Sequence, residues 1–557
     1  MDATPPRHIR QTTTLCRICE AQCGLQVTVD EREQRVIDVA PDKAHVVSKG
    51  YACIKGLRFE DFRTSPDRLT QPLKRVSGKH EAPRFEPVSW ERALREIGRK
   101  VRRLRRAHGD DSTGLYFGNP IAFSLLYPIF INGFVRGLNT MKFFNTGTLD
   151  CNNKFVVAEQ MYGSAFALTY PDVDRCQFLM ILGGNPAVSK MSFINLPHPI
   201  KRLKAIVGRG GRVVHVNPRR TESAQQVGEH LFIRPDTDVF LLLALLRELL
   251  VTHGKQLDRA RIAAHMSGFE QLAALAAPWT PERSAEVTRV PANTVRELAA
   301  AYVNADGAAL YLSTGVNQGS NGVLAFWVQE VINAIGGNLD RLGGVQMGQG
   351  IVDYAGLVAK QQSPTRHSRI GDTPNFLEAL PCALMADEIL TPGAEQMKAL
   401  FVVSGNPLLS ATRSERLAEA LQSLELLVSI ETVQNETADY ADYILPGTHF
   451  AERADVPFLF SSLCGTTPVP WYQYVDPLVA PPDKARDEIW TVHQLAKHCE
   501  APLFGSRLFQ RVVSLGGFYG KLPLLGRYLP ALPELLLDLL SRAGGQGSLR
   551  TLRQHPH

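Results

Sequence analysis

The chain has 557 residues, 44% hydrophobic and 21% charged, and its 61 Lys and Arg against 55 Asp and Glu leave a net charge of +6. That length exceeds what one hydrophobic core serves, so three or four domains or lobes are expected. The composition excludes a disordered chain, nine cysteines are too few for a disulfide scaffold, and so mild a basic excess argues against a nucleic-acid partner.

Residues 1–14 are polar, with neither the apolar core of a secretory signal nor paired arginines. Apolar runs such as residues 240–246 are too short to span a bilayer. A cytoplasmic protein with no membrane insertion is expected. Four cysteines follow, Cys16, Cys19, Cys23 and Cys53, in the pattern C-x2-C-x3-C-x29-C. Four converging thiolates can hold an iron–sulfur cluster or a tetrahedral zinc. The tight spacing argues against coincidence, and the remote fourth ligand with Lys55 two residues beyond it favours an electron-carrying [4Fe–4S] cluster. Cys176, Cys382, Cys464 and Cys499 are scattered and read as small buried hydrophobes, which fits a reducing compartment. Residues 25–29 and 35–39 alternate with period two across a charged turn, so residues 15–65 form a small strand-rich lobe that relies on its metal for folding energy.

Beyond Pro87 the pattern becomes helix, strand, helix. Residues 90–106 are amphipathic, and the basic run at 99–106 reads as the solvated face of that helix, since it lacks the interleaved aromatics of a nucleic-acid stripe. Short apolar runs at 114–118, 178–182, 211–216, 309–312, 399–403 and 426–430 are each followed by turn residues and a helical stretch. This is an α/β chain with parallel sheets, whose ligands lie outside the carboxyl ends of the strands.

Two strand ends repeat one another: Ile181-Leu182-Gly183-Gly184-Asn185-Pro186 and Val402-Val403-Ser404-Gly405-Asn406-Pro407. Glycine lets backbone approach a ligand, Asn tolerates unusual dihedrals and donates hydrogen bonds, and Pro fixes the exit into a helix whose N-terminus suits phosphate. The pair suggests an internal duplication with two phosphate-bearing ligands, contacted by Gly183, Asn185 and Pro186 in one half and by Gly405, Asn406 and Pro407 in the other. Each half has a second polar segment: Asn217-Pro218-Arg219-Arg220 with Asp236 and Asp238, and Glu431 with Asp442. The acids can accept from ribose or a guanine edge, while Arg219 and Arg220 can pair with phosphate.

With these motifs in view, residues 15–490 resemble the molybdopterin oxidoreductases of the dimethyl sulfoxide reductase type. The resemblance rests on Cys53-Ile54-Lys55-Gly56, the two Gly-Asn-Pro strand ends, Asn217-Pro218-Arg219-Arg220-Thr221-Glu222, Arg234-Pro235-Asp236-Thr237-Asp238 and the segment from Ala438 to Pro446. Gly315 and Gln318 lie in a stretch similar to the family's segment beside the second pterin. The resemblance implies a [4Fe–4S] lobe at 1–67, an α/β domain at 68–148 and 346–500 for one pterin dinucleotide, a Rossmann-like domain at 149–345 for the other, and a short tail at 501–557. It further implies a molybdenum or tungsten ion held by two molybdopterin guanine dinucleotides, Lys55 between cluster and pterin, a small substrate, and an external electron-transfer partner protein.

The family's protein ligand to the metal comes from a loop before a helix. Counting back from Tyr162-Gly163-Ser164 brings Asp150 to that position with Cys151 beside it, and both stand as candidates. Neither the histidine that follows the ligand in formate dehydrogenases nor the Arg and Met that flank it in periplasmic nitrate reductases is present, so no substrate is named. Glu452 and Arg453 are further expected pterin contacts, and His45, His215 and His449 weak candidates as proton carriers. The stretch after Pro502 is rich in Leu, Pro and Gly and too short for the family's closing domain, so a chain lacking that domain is expected. A hydratase on the same scaffold, or a non-catalytic electron-transfer subunit, are the alternatives.

Overall fold

The computed structural model describes residues 8–360, 365–457, 459–482, 484–519 and 532–554. Its first sheet is antiparallel, β1 (Ile9–Leu15), β2 (Gly24–Asp30) and β3 (Arg35–Pro41), in that spatial order. The β2–β3 hairpin matches the period-two reading. β1 escaped it because residues 10–14 are Arg-Gln-Thr-Thr-Thr, which carry no apolar alternation; threonines nevertheless suit a pleated edge strand. Alternation along β2 buries Leu25, Val27 and Val29, and the core they enter is completed by Phe450, Leu478 and Val479 from far along the chain. A buried Arg17–Asp455 ion pair at 2.6 Å makes the same connection. The lobe is therefore not a self-sufficient unit.

The helix Trp90–His108 begins at Ser89, whose side chain accepts from the Arg92 N–H, and buries Ala93, Leu94, Ile97, Val101 and Leu104 along one stripe. Its basic residues face outward, where Arg92, Arg95 and Arg103 pair with Glu96, Glu91 and Glu425.

Strands β4 (Leu73–Arg75), β5 (Phe85–Pro87), β6 (Thr113–Phe117) and β7 (Phe143–Asn145) come next. Then follow β8 (Thr169–Pro171), β9 (Phe178–Leu182), β10 (Arg212–Asn217), β11 (Glu229–Phe232), β12 (Ala308–Leu312) and β13 (Val345–Met347). Of these, β11-β10-β9-β12 form a parallel four-stranded sheet, while β8 and β13 make a short antiparallel ribbon. The chain then returns with β14 (Ala399–Val403), β15 (Leu426–Glu431) and β16 (Tyr443–Pro446) to complete a seven-stranded sheet, β5-β4-β16-β15-β14-β6-β7. That sheet is parallel from β16 to β7. Every residue of β9, β12 and β14 is buried, as expected of strands covered by helices on both faces. The α/β class and the strand-rich lobe read from sequence hold.

Strand order reverses between β9 and β12 in one sheet and between β14 and β6 in the other. Each reversal opens a crevice at the carboxyl ends of the strands, where ligands of such sheets bind. The C-terminal stretch contributes helices Leu532–Ala543 and Leu549–Gln554, which place Leu537, Leu549 and Leu552 in the core beside the larger sheet. Residues 529–531 of that Leu- and Pro-rich stretch lie outside the described residues. Among the described residues, no helix is long and apolar enough to cross a membrane.

Candidate cluster site and cofactor crevices

Cys16, Cys19, Cys23 and Cys53 line a single pocket together with Tyr51, Lys55, Gly56 and Lys190. The Cys16 N–H donates to the Cys23 carbonyl at 2.9 Å, which closes the loop carrying three of the thiols. Cys53 precedes the short helix Ile54–Leu57, and a Cβ added at Gly56 would sit 3.1 Å from Cys16 Sγ, so this glycine gives the thiol room. Asn195, from the four-stranded-sheet domain, donates to the Glu20 and Ala21 carbonyls at 2.9 Å each, and Ser461 donates to Gln22 at 2.9 Å. Two distant parts of the chain thus hold the loop. Burial pushes the Cys16 thiol up to about 12 and also lifts Cys19 and Cys23, with neighbouring thiolates adding to each rise. Four thiolates gathered there require a strongly positive centre. One centre bound by all four thiols, as the cysteine spacing leads us to expect of an iron–sulfur cluster, meets that requirement.

The glycines of the crevices do something other than expected. Gly183 has φ +62, and an added Cβ would come 2.7 Å from the Val316 nitrogen; one on Gly315 would come 2.8 Å from the Gly183 Cα. These two glycines let adjacent strand ends touch. In the larger sheet Ser404 stands where Gly183 does, with φ +47, and a Cβ on Gly118 would lie 2.7 Å from the Gly405 Cα. Gly118 was not singled out from the sequence, although Gly118-Asn119-Pro120 is a third copy of the motif at the end of β6.

The asparagines are likewise spent inside the protein. Asn185 accepts from the Ser223 N–H and hydroxyl at 3.2 and 2.8 Å and donates to Glu222 at 2.5 Å. Asn406 accepts from the Thr437 N–H and hydroxyl at 3.3 and 2.8 Å and donates to Glu436 at 2.6 Å. Each hydroxyl in turn accepts a backbone N–H just past the proline, from Ala187 or Leu408. Asn217 donates to the Gly184 carbonyl at 3.1 Å, and Asn435 to the equivalent Gly405 carbonyl at 3.4 Å. The duplication therefore extends to individual hydrogen bonds. Pro186 and Pro407 each open a short helix.

Other expected contacts divide into two groups. Asp236, at φ +64, accepts from the Ser320 N–H and hydroxyl at 2.7 Å each and so ties down the loop that carries Gln318. Asp238 starts the helix Asp238–Val251, where burial and the Asp236 charge push its carboxyl up to about 6. Arg219 pairs with Glu222 at 3.1 Å, and it, Arg220 and Gln318 are exposed. Glu431 ends β15 half-buried, and burial with the Glu488 charge pushes its carboxyl up to about 7. Asp442 corrects the expectation: it precedes β16, at the amino ends of the parallel strands, and is committed to the Leu427 N–H at 2.7 Å and Lys79 at 3.1 Å. Glu452, which follows β16, is buried and held by Arg68 at 2.9 Å, Arg63 at 3.5 Å and the His449 N–H at 2.8 Å. Arg453 faces Tyr127 and Glu488. The three histidines are interior side chains: His45 meets Trp471 edge-on at 4.8 Å, His215 lies within β10, and His449 stacks on Phe59 at 5.7 Å.

Between β7 and the helix Asn152–Tyr162, Asp150 is half-buried and Cys151 buried. Burial raises both acids, and the Asp150 charge raises the thiol further. Near them stand three residues that sequence reading passed over. Lys154, one turn after Asp150, points its ammonium at the rings of Phe193, Phe326 and Tyr311, 4.6, 5.6 and 5.9 Å away. Glu330, buried, accepts from Tyr162 at 2.8 Å, Thr169 at 2.7 Å and Gln329 at 2.9 Å, across a cavity that Lys154 also lines. Glu20, inside the cysteine motif, is raised by burial and by the Asp150 charge, so the cluster loop and the Asp150 loop face one another. The i, i+4 spacing of Asp150 and Lys154 was a readable signal; Glu330 showed only as a lone acid in an apolar helix.

Residues 68–498 match the family described as Molybdopterin oxidoreductase, and residues 9–63 match its Fe4S4 domain. Among similar proteins, the F420-dependent formate dehydrogenase subunit alpha of Methanocaldococcus jannaschii is 26% identical over 79% of this chain and 64% of its own length. The assimilatory nitrate reductase catalytic subunit of Bacillus subtilis is 25% identical over 79% of this chain and 62% of its own. The solved structure of acetylene hydratase from Pelobacter acetylenicus superposes with a TM-score of 0.74 at 21% identity, covering 88% of this chain and 69% of that one. The chain spans somewhat under two thirds of these two curated relatives. With both of its matched segments running from the cysteine lobe through the paired crevices, the chain belongs to the molybdopterin oxidoreductase family and carries that family's Fe4S4 domain.

Proposed function

We propose that the protein exchanges two electrons with a small substrate at a molybdenum or tungsten centre and passes them, one at a time, through the N-terminal cluster to or from an external carrier protein. One observation carries the reading: Lys190, four residues past Pro186 of the dinucleotide crevice, lines the same pocket as the four cysteines. Cluster and crevice share a wall, so electrons have a short path between them. When bound, the metal with its two pterin dinucleotides supplies the two-electron chemistry.

The chain's residues prepare that site. Cys16, Cys19, Cys23 and Cys53 hold the cluster, with Lys55 on its exposed side. The Gly183–Gly315 and Gly118–Gly405 contacts, and the two asparagine networks, keep the crevices open in a fixed shape. Asp238, Gln318, Arg219 and Arg220 in one crevice and Glu431 in the other remain to meet the dinucleotides. Asp150, at the position counted back from Tyr162-Gly163-Ser164, is the favoured ligand over Cys151 beside it. Burial pulls the Lys154 ammonium below its usual range, opposed by the Cys151, Asp150 and Glu330 charges, and Glu330 stands with it on the same cavity.

A second reading, addition of water without net redox change, is favoured by Glu20. Its half-buried carboxyl is raised by burial and by the Asp150 charge, which favours the protonated form that such a step needs. Anaerobic purification followed by metal and pterin analysis, then turnover while cluster absorbance is followed, tests both readings. Iron with molybdenum or tungsten, and a cluster that bleaches on turnover, supports electron transfer. Turnover with the cluster unchanged supports hydration, and iron without either heavy metal defeats both in favour of a non-catalytic subunit.

A further inference from the structure

A cluster held by four thiolates is negatively charged, and reduction adds one more electron without making or breaking a bond. A positive charge nearby favours the reduced form, and does so more when it is shielded from water. Two lysines line the cysteine pocket, and they differ in setting. Lys55 is exposed, whereas Lys190 is 9% exposed. Lys190 belongs to the dinucleotide-binding side of the molecule, at the end of the short helix Pro186–Ser189.

Its backbone is bent to bring it there. Lys190, Met191 and Phe193 all adopt left-handed conformations, at φ +64, +66 and +65. Met191 is fully buried, which fixes the bend in the core. The Lys190 ammonium donates to the Ala187 carbonyl and lies 6.0 Å from the ring centre of Tyr51, itself a wall of the cysteine pocket.

We propose that Lys190 is a positioning residue for electron transfer, a buried ammonium presented to the cluster from the dinucleotide-binding domain that raises the cluster's reduction potential. The inference rests on the reading that the cysteine pocket holds a [4Fe–4S] cluster. The test is a reductive titration with dithionite, followed by absorbance and electron paramagnetic resonance, on anaerobically purified full-length protein. Lys190→Gln retains a donor for the Ala187 carbonyl but loses the charge; Lys190→Arg retains the charge. With Gln the midpoint is expected to fall, raising the oxidised-to-reduced ratio at fixed poise about tenfold, about 59 mV for a one-electron couple. With Arg it should stay near that of the unsubstituted protein. A Gln variant that titrates like the unsubstituted protein, or Gln and Arg variants that shift equally, would overturn the charge effect. Should the Gln variant shed its cluster, an Arg variant that keeps both cluster and midpoint supports the inference, and an Arg variant that also sheds it counts against it. Iron and sulfide analysis of the unsubstituted protein stands apart: their absence removes the cluster reading itself, and this inference with it.

Discussion

The two crevices have the same frame and different linings. In each, an asparagine after a parallel strand grips a hydroxyl and a carboxylate on the neighbouring loop: Asn185 with Ser223 and Glu222, and Asn406 with Thr437 and Glu436. In each, a second asparagine holds the glycine carbonyl at the strand end. The linings diverge. The four-stranded sheet offers exposed Arg219 and Arg220 with Asp238, whereas the seven-stranded sheet offers half-buried Glu431. What repeats is the scaffold, and what differs is the set of side chains at its mouth.

If the frame is a true repeat, breaking it should cost the same on either side. Gly118→Ala drives a Cβ to 2.0 Å from the Ser404 carbonyl oxygen, and Gly315→Ala drives one to 2.8 Å from the Gly183 Cα. Both press backbone on backbone, so each should destabilise by about 1–3 kcal/mol, with Gly118→Ala at the upper end or beyond. Thermal unfolding of the two variants measures this, and an unchanged midpoint in either would remove the close-approach argument for that crevice. Next in size are Asn185→Ala and Asn406→Ala, each removing the acceptor of a buried hydroxyl and of its backbone N–H, at about 1–2 kcal/mol. Comparable losses in urea titrations identify one device used twice; a loss on one side alone would make the likeness superficial.

Local signals carried most of what the sequence disclosed. The cysteine spacing, the hairpin and the Gly-Asn-Pro strand ends each lie within a few residues, so pattern alone reveals them. The roles of Asn185 and Asn406 were not legible, because their partners stand on other loops about thirty residues away or more. Asp442 was misjudged because it follows a strand-rich stretch yet precedes its own strand, which reverses the end of the sheet it occupies. Lys154, Lys190 and Glu330 matter through what the tertiary fold sets beside them, a fact no spacing rule contains.

The smallest expected effect is a pH dependence that separates the linings. Glu431 has a folded pKa raised to about 7, by burial first and then by Glu488, and Asp238 one raised to about 6, by burial first and then by Asp236. A carboxyl with a raised pKa binds its proton more tightly when folded than when unfolded, so stability falls as pH rises between the two values. For Glu431 that window runs from the ordinary value of 4.5 to about 7, and for Asp238 from 3.8 to about 6. Denaturant unfolding of the cofactor-free chain should therefore lose stability between pH 6 and pH 7 chiefly through the Glu431 crevice. Glu431→Gln should flatten that interval, while Asp238→Asn should flatten only the interval below it. A bound dinucleotide that donates to Glu431 favours its ionised form and should abolish the same slope, so a slope surviving in the loaded protein would mean that Glu431 meets no donor there.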